Sequence, residues 1–244
     1  MQPSSSSTFR NFLVLTLILV LPLPVKASIS ISMQEPKWEF LLQNQPTLQT
    51  QAQLAAGESG FARQIQPLLA TQNYSAVMKA FESRDLASDS VALKQLRGQV
   101  LLSLKRYPEA EQALQAALKS MPDLALAHRS LSMVYLLQKQ YEPARKHLRR
   151  SLELGVADVQ VYGQLAYINL QLGQPGSAIA GYQTALLLEP DNTQWQQGLL
   201  YALINSQAFD QAQGLLDSML KANPQSADLW LQRGQIALRQ NRPH

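Results

Sequence analysis

The 244-residue chain has no cysteine, only three histidines, and 16% charged residues. Without cysteine there is no disulfide, no thiolate metal ligand and no thiol to carry a lipid anchor. His128, His147 and His244 form no H-x-x-x-H or H-E-x-x-H pair, and neither G-x-S-x-G nor G-x-x-x-x-G-K occurs. With nothing to assemble a nucleophile, a base or a metal cluster, no catalysis, cofactor or metal site is expected, and His128 is expected as a half-buried packing residue. The apolar run from Phe12 to Val25 has 14 residues, where a bilayer needs about 20, and Pro22 and Pro24 interrupt its end.

That short run has another use. Arg10 precedes it, and Val25-Lys26-Ala27 offers small or aliphatic side chains where a signal peptidase reads. Residues 1–27 are expected to be a signal peptide cut after Ala27, placing the protein in the periplasm or outside the cell. An uncleaved N-terminal anchor is the alternative. Past Ala27 the chain carries 19 basic and 17 acidic residues. Residues 90–150 hold eleven Lys or Arg and four acids, whereas 151–220 hold no Lys or Arg and six acids. A near-neutral total gives nucleic acid no electrostatic footprint.

What the chain does have is a period of 34 residues. Ala110, Ala144, Ala178 and Ala212 keep it, as do Leu114, Leu148, Tyr182 and Leu216, then Leu118, Leu152, Leu186 and Leu220, then Pro122, Pro190 and Pro224. Such a step is the mark of a stacked array of helix pairs. In the first unit a leading helix is expected from Val91 to Leu104 and a trailing one from Pro108 to Ser120. Pro108 suits a first helical turn, and Pro122 ends the second helix. The alanines are expected where two helices approach closely.

These residues resemble the tetratricopeptide repeat. The first unit carries Gly98, Tyr107, Ala110, Leu114, Ala117, Leu118 and Pro122 at the family's positions; the second carries Leu131, Tyr135, Tyr141, Ala144, Leu148 and Leu152. The third is looser, with Pro175 where an aromatic is usual, and the fourth keeps Leu199, Phe209, Ala212, Leu216, Leu220 and Pro224. The resemblance implies an all-α fold, a right-handed α-solenoid of antiparallel helix pairs whose leading helices line the concave side. Four repeats are expected over 91–226 and a partial fifth over 227–244. Tyr74 and Phe81 suggest a degenerate helical repeat at 57–90, preceded by a linker and docked segment at 28–56. Trp230, Ile236 and Leu238 look like a face made for a partner, so the natural chain is expected to continue past His244.

Positions two, five, nine, twelve and thirteen of each repeat face the groove in that family. Here they bring Gln95, Gln99, Arg129, Met133, Tyr167, Gln171, Gln197, Tyr201 and Asn205, a polar and aromatic set with a single charge. Such a wall is expected to hydrogen-bond an extended peptide while Tyr167 and Tyr201 pack on its side chains. On the outer face Arg145, Lys146, Arg149 and Arg150 form a basic stripe, expected to be a solvated helix face or a contact for an acidic partner, a polysaccharide or lipid headgroups. The corresponding face of the third repeat is uncharged, with Ile179 and Leu187, and could serve a partner or weak self-association. The reading is therefore an exported scaffold for protein or peptide partners in assembly of an envelope structure, such as a pilus, a secretion system or a polysaccharide exporter. A carbohydrate-binding or polymer-guiding module is the alternative.

Overall fold

A computed structural model of the chain describes residues 52–240; the expected signal peptide and most of the segment at 28–56 lie outside them. A 3-10 turn, Ala56–Glu58, leads into eleven α-helices. The first two are α1 (Ser59–Ala70) and α2 (Tyr74–Phe81). Four pairs follow: α3 (Val91–Ser103) with α4 (Tyr107–Ser120), α5 (Ala125–Leu137) with α6 (Tyr141–Glu153), α7 (Val159–Gln171) with α8 (Pro175–Leu188), and α9 (Thr193–Asn205) with α10 (Phe209–Ala222). The last helix is α11 (Ala227–Gln240). Among the described residues there is no strand, and no helix is long and apolar enough to cross a membrane.

Local chemistry sets the helix ends. Ser90 Oγ, Asp158 Oδ1 and Asn192 Oδ1 accept from the first-turn amides of α3, α7 and α9, which have no partner inside the helix. Each pair then closes through the same turn. In the first, the Lys105 amide donates to the Leu102 carbonyl at 2.9 Å and the Arg106 amide to Leu101 at 2.9 Å. The two bonds satisfy carbonyls that the helix end leaves open, and they require positive φ at the second residue after the helix. Lys105, Lys139, Gly173 and Gln207 all stand in that conformation, 34 residues apart.

The expected close approaches are in place. Ala110, Ala144, Ala178 and Ala212 are each 0% exposed, and Leu114, Leu148, Tyr182 and Leu216 fill the layer beside them. Where the third repeat departs from leucine, its neighbour adapts: a Cβ on Gly198 would lie 2.3 Å from the Tyr182 ring, so only glycine admits the tyrosine. Burial pushes the Tyr182 phenol up from its ordinary pKa. Trp195 packs on Tyr182 with ring centroids 6.4 Å apart.

Helix α3 touches α5, and α7 touches α9, whereas the trailing helices contact chiefly the leading helices on either side. The leading helices therefore lie closer together, which sets the inner side of the array. The architecture is an α-solenoid of helix pairs.

Candidate functional site

The inner wall comes from the leading helices, and the nine residues expected on it divide into three groups. Gln171, Gln197 and Asn205 are exposed, and Tyr201, Gln95 and Gln99 are half-buried. Gln99 Nε2 reaches Ser130 Oγ of the next leading helix at 3.4 Å. Arg129 Nη1 donates to Asp158 Oδ2 at 2.6 Å, and the same carboxylate caps α7. The one charge on the wall is thus neutralised and tied to the next repeat. Met133 and Tyr167, expected on the surface, are 3% and 5% exposed and belong to the core. The family's position pattern alone put them on the wall, but the Tyr141 ring at the start of α6 packs edge-on against Tyr167, centroids 6.3 Å apart. Tyr167 and Tyr201 accordingly do not form an open pair of rings.

The outer stripe also divides. Arg145 Nη2 pairs with Glu142 at 2.8 Å and its Nη1 reaches Gln174, which precedes α8, at 2.9 Å. Arg150 pairs with Asp123 at 2.6 Å and Glu153 at 3.2 Å. Lys146 and Arg149 stay exposed, with no ion pair among the described residues. In the third repeat Ile179 is half-buried, so it is partly a packing residue, while Leu187 is 82% exposed. Next to it Leu188 is also exposed, which the sequence did not single out.

Sequence reasoning missed a histidine pair. His128 of α5 is half-buried, as expected, but its Nδ1 lies 2.9 Å from Nδ1 of His147 on α6. His128 Nε2 is 2.9 Å from the Pro122 carbonyl, which can only accept. His128 therefore carries its proton on Nε2, and His147 donates from Nδ1 to the bare Nδ1 of His128. The His147 ring is also stacked with Tyr135, whose hydroxyl donates to Glu111 Oε1 at 2.9 Å. Burial, with His128 and Lys146 beside it, pushes His147 down to about 4, and burial lowers His128 as well. The signal was present: the two histidines stand 19 residues apart, a spacing that crosses from a leading helix to its trailing partner.

The fold defines a helical-repeat scaffold, and the comparisons say of which kind. Models of the tetratricopeptide repeat match residues 89–155 and 169–236. The chain belongs to the tetratricopeptide-repeat family, whose surfaces bind proteins or peptides. The tetratricopeptide repeat-containing protein trd-1 of Caenorhabditis elegans is 33% identical over 106 residues, 43% of this chain; the match spans only 14% of that relative's length. Among solved structures, YrrB, described as a repeat protein with an unusual peptide-binding site, superimposes with a TM-score of 0.59 at 22% identity, covering 68% of this chain and 84% of its own. A MamA fragment from Desulfovibrio magneticus gives 0.59 at 19% identity, covering 72% and 99%. At these identities the structures speak for the fold.

Proposed function

We propose that the protein is an exported, non-catalytic scaffold that holds an extended segment of a partner along the inner wall during assembly of an envelope structure. The observation that carries this reading is the wall itself: Gln171, Gln197, Tyr201 and Asn205 reach solvent on α7 and α9, and Arg129 is neutralised by Asp158. A wall of amides and a phenol bonds peptide groups along a backbone, but it holds no net charge to clamp a terminal carboxylate. Tyr is among the residues whose truncation at an interface costs most, about 2 kcal/mol, or roughly thirtyfold in affinity at about 1.4 kcal/mol per decade.

The test is an array carrying envelope-protein peptides and glycans, probed with the chain and with a Tyr201→Ala/Gln197→Ala variant. Peptide signals that fall at least tenfold in the variant, with helical content unchanged, support the reading. Undiminished capture would remove the wall as the binding site. The same amides and ring would suit a sugar chain, so signals confined to glycans would favour a polymer-guiding module instead.

A further inference from the structure

On the trailing-helix side, a pocket of about 560 Å³ runs along α6 from Glu142 to Glu153, past His147 on the same helix, with His128, Pro122 and Asp123 on its other wall. Glu142, Arg145, Lys146, Arg149, Arg150 and Glu153 all line it, spaced at three- and four-residue steps on one helix face. At 1.5 Å per residue the stripe is about 16 Å long, the reach of about five extended residues. Its charges are ordered. The Glu142–Arg145 pair closes one end, and Arg150 between Asp123 and Glu153 closes the other. Between these ends Lys146 and Arg149, one turn apart, have no carboxylate partner among the described residues. Outward, the groove shows acid, two bases, acid.

We propose that this groove is a second binding site, separate from the inner wall, and that it takes a short peptide segment with two adjacent acidic residues flanked by basic ones. The order of charge selects that occupant. A long polyanion, whether nucleic acid, acidic polysaccharide or membrane surface, would run its charge past Lys146 and Arg149 into the exposed Glu142 and Glu153. A short acidic pair meets only the two free cations, and flanking bases meet the terminal acids. A metal ion is disfavoured by the four cationic side chains around the two imidazoles.

The histidine pair forms the groove's back wall and couples the site to protons. Donation from His147 Nδ1 to His128 leaves His147 Nε2 as the open acceptor of the pair. The charged and titratable groups around the histidine pair are Lys146 beside His147, Arg150 and Asp123 beside His128, Arg149 on the groove lining, and Tyr135 stacked on His147, with Glu111 on α4 behind that hydroxyl. Carboxylates seated on Lys146 and Arg149 add negative charge beside this ring and make protonation of Nε2 easier. Binding therefore raises the His147 pKa above its value in the free chain.

The probe is a capped peptide with two glutamates at its centre and an arginine at each end; the control exchanges the positions of the two residue types, so both peptides carry zero net charge. Calorimetry at low salt on the full chain should show the first bound at least tenfold more tightly than the second. A Lys146→Ala/Arg149→Ala variant, altered only at exposed positions, should weaken the first about tenfold, and Lys146→Glu/Arg149→Glu should reverse the preference. The His147 ring, followed by NMR as the pH is lowered, should take up its proton at higher pH with the peptide bound than without it, and this difference should vanish in the Lys146→Ala/Arg149→Ala variant. Equal affinity for the two peptides, or unchanged affinity in the double alanine variant, overturns the site. Tighter binding of poly-glutamate than of the patterned peptide overturns the proposed occupant. The Tyr201→Ala/Gln197→Ala variant should bind the patterned peptide as the parent does, which separates this site from the inner wall.

Discussion

Lys105 and Gln207 hold φ of 59° and 61°, where Gly173 holds 71° at the equivalent turn. For a residue with a Cβ this left-handed conformation costs about 1–2 kcal/mol, and the closing hydrogen bonds keep it in place. Lys105 is exposed, so its substitution by glycine removes strain while disturbing little packing. Part of the gain is offset by the larger freedom of glycine in the unfolded chain. Lys105→Gly is expected to stabilise by about 0.5–1 kcal/mol, and Gly173→Ala to destabilise by about 1 kcal/mol. Urea denaturation of the two variants checks both signs; a destabilised Lys105→Gly would show that the lysine side chain, not its backbone, matters at the turn.

At the scale of the element, the first helix pair is joined to α3 by a compact polar network. Glu58 is 5% exposed and accepts from the Ser90 amide at 2.8 Å and from Arg84 at 3.1 Å. Arg84 also bonds Asp89 at 2.7 Å, and its guanidinium lies over the Phe61 ring. Burial raises the Glu58 carboxyl, but hydrogen bonds from Ser90 and Ala55 and the charge of Arg84 outweigh it, so the net shift is downward. A carboxyl with a lowered folded pKa contributes stability above about pH 4.5 that is lost as pH falls below it. The protection factors of amides in α1 and α2, referred to the intrinsic exchange rate at each pH, should accordingly fall on acidification from pH 5 to 3.5. In Glu58→Gln they should already be low at pH 5 and respond far less to acid.

The helices and their pairing were legible because Ala110, Ala144, Ala178 and Ala212 can repeat only where backbones approach. The turn conformation was not, since lysine and glutamine at three of its four positions disguise what Gly173 alone would suggest. The wall was half legible: the family's position pattern assigns a residue its direction, but depth depends on what stands opposite, and Tyr141 opposite Tyr167 closes over it. The polar network was hidden because Glu58 meets Ser90 across 32 residues outside the regular period.

At the scale of the whole molecule, basic residues gather in the first two repeats and are absent from residues 151–220. The charged outer groove and the uncharged inner wall therefore serve different chemistry on one array. Export is the remaining expectation for the chain, resting on Arg10, the run from Phe12 to Val25, and Ala27. Mass spectrometry of protein recovered from a secreting host should find Ser28 as the N-terminal residue, whereas a full-length chain held in the membrane fraction would favour the anchor. The recurrent turn has a kinetic consequence. Its bonds join residues three and five apart, so each helix pair can close before any neighbour is in place, and long-range closure entropy is small. Folding can then start in any repeat and spread along the array. The deeply packed α5 to α8 are the natural starting point.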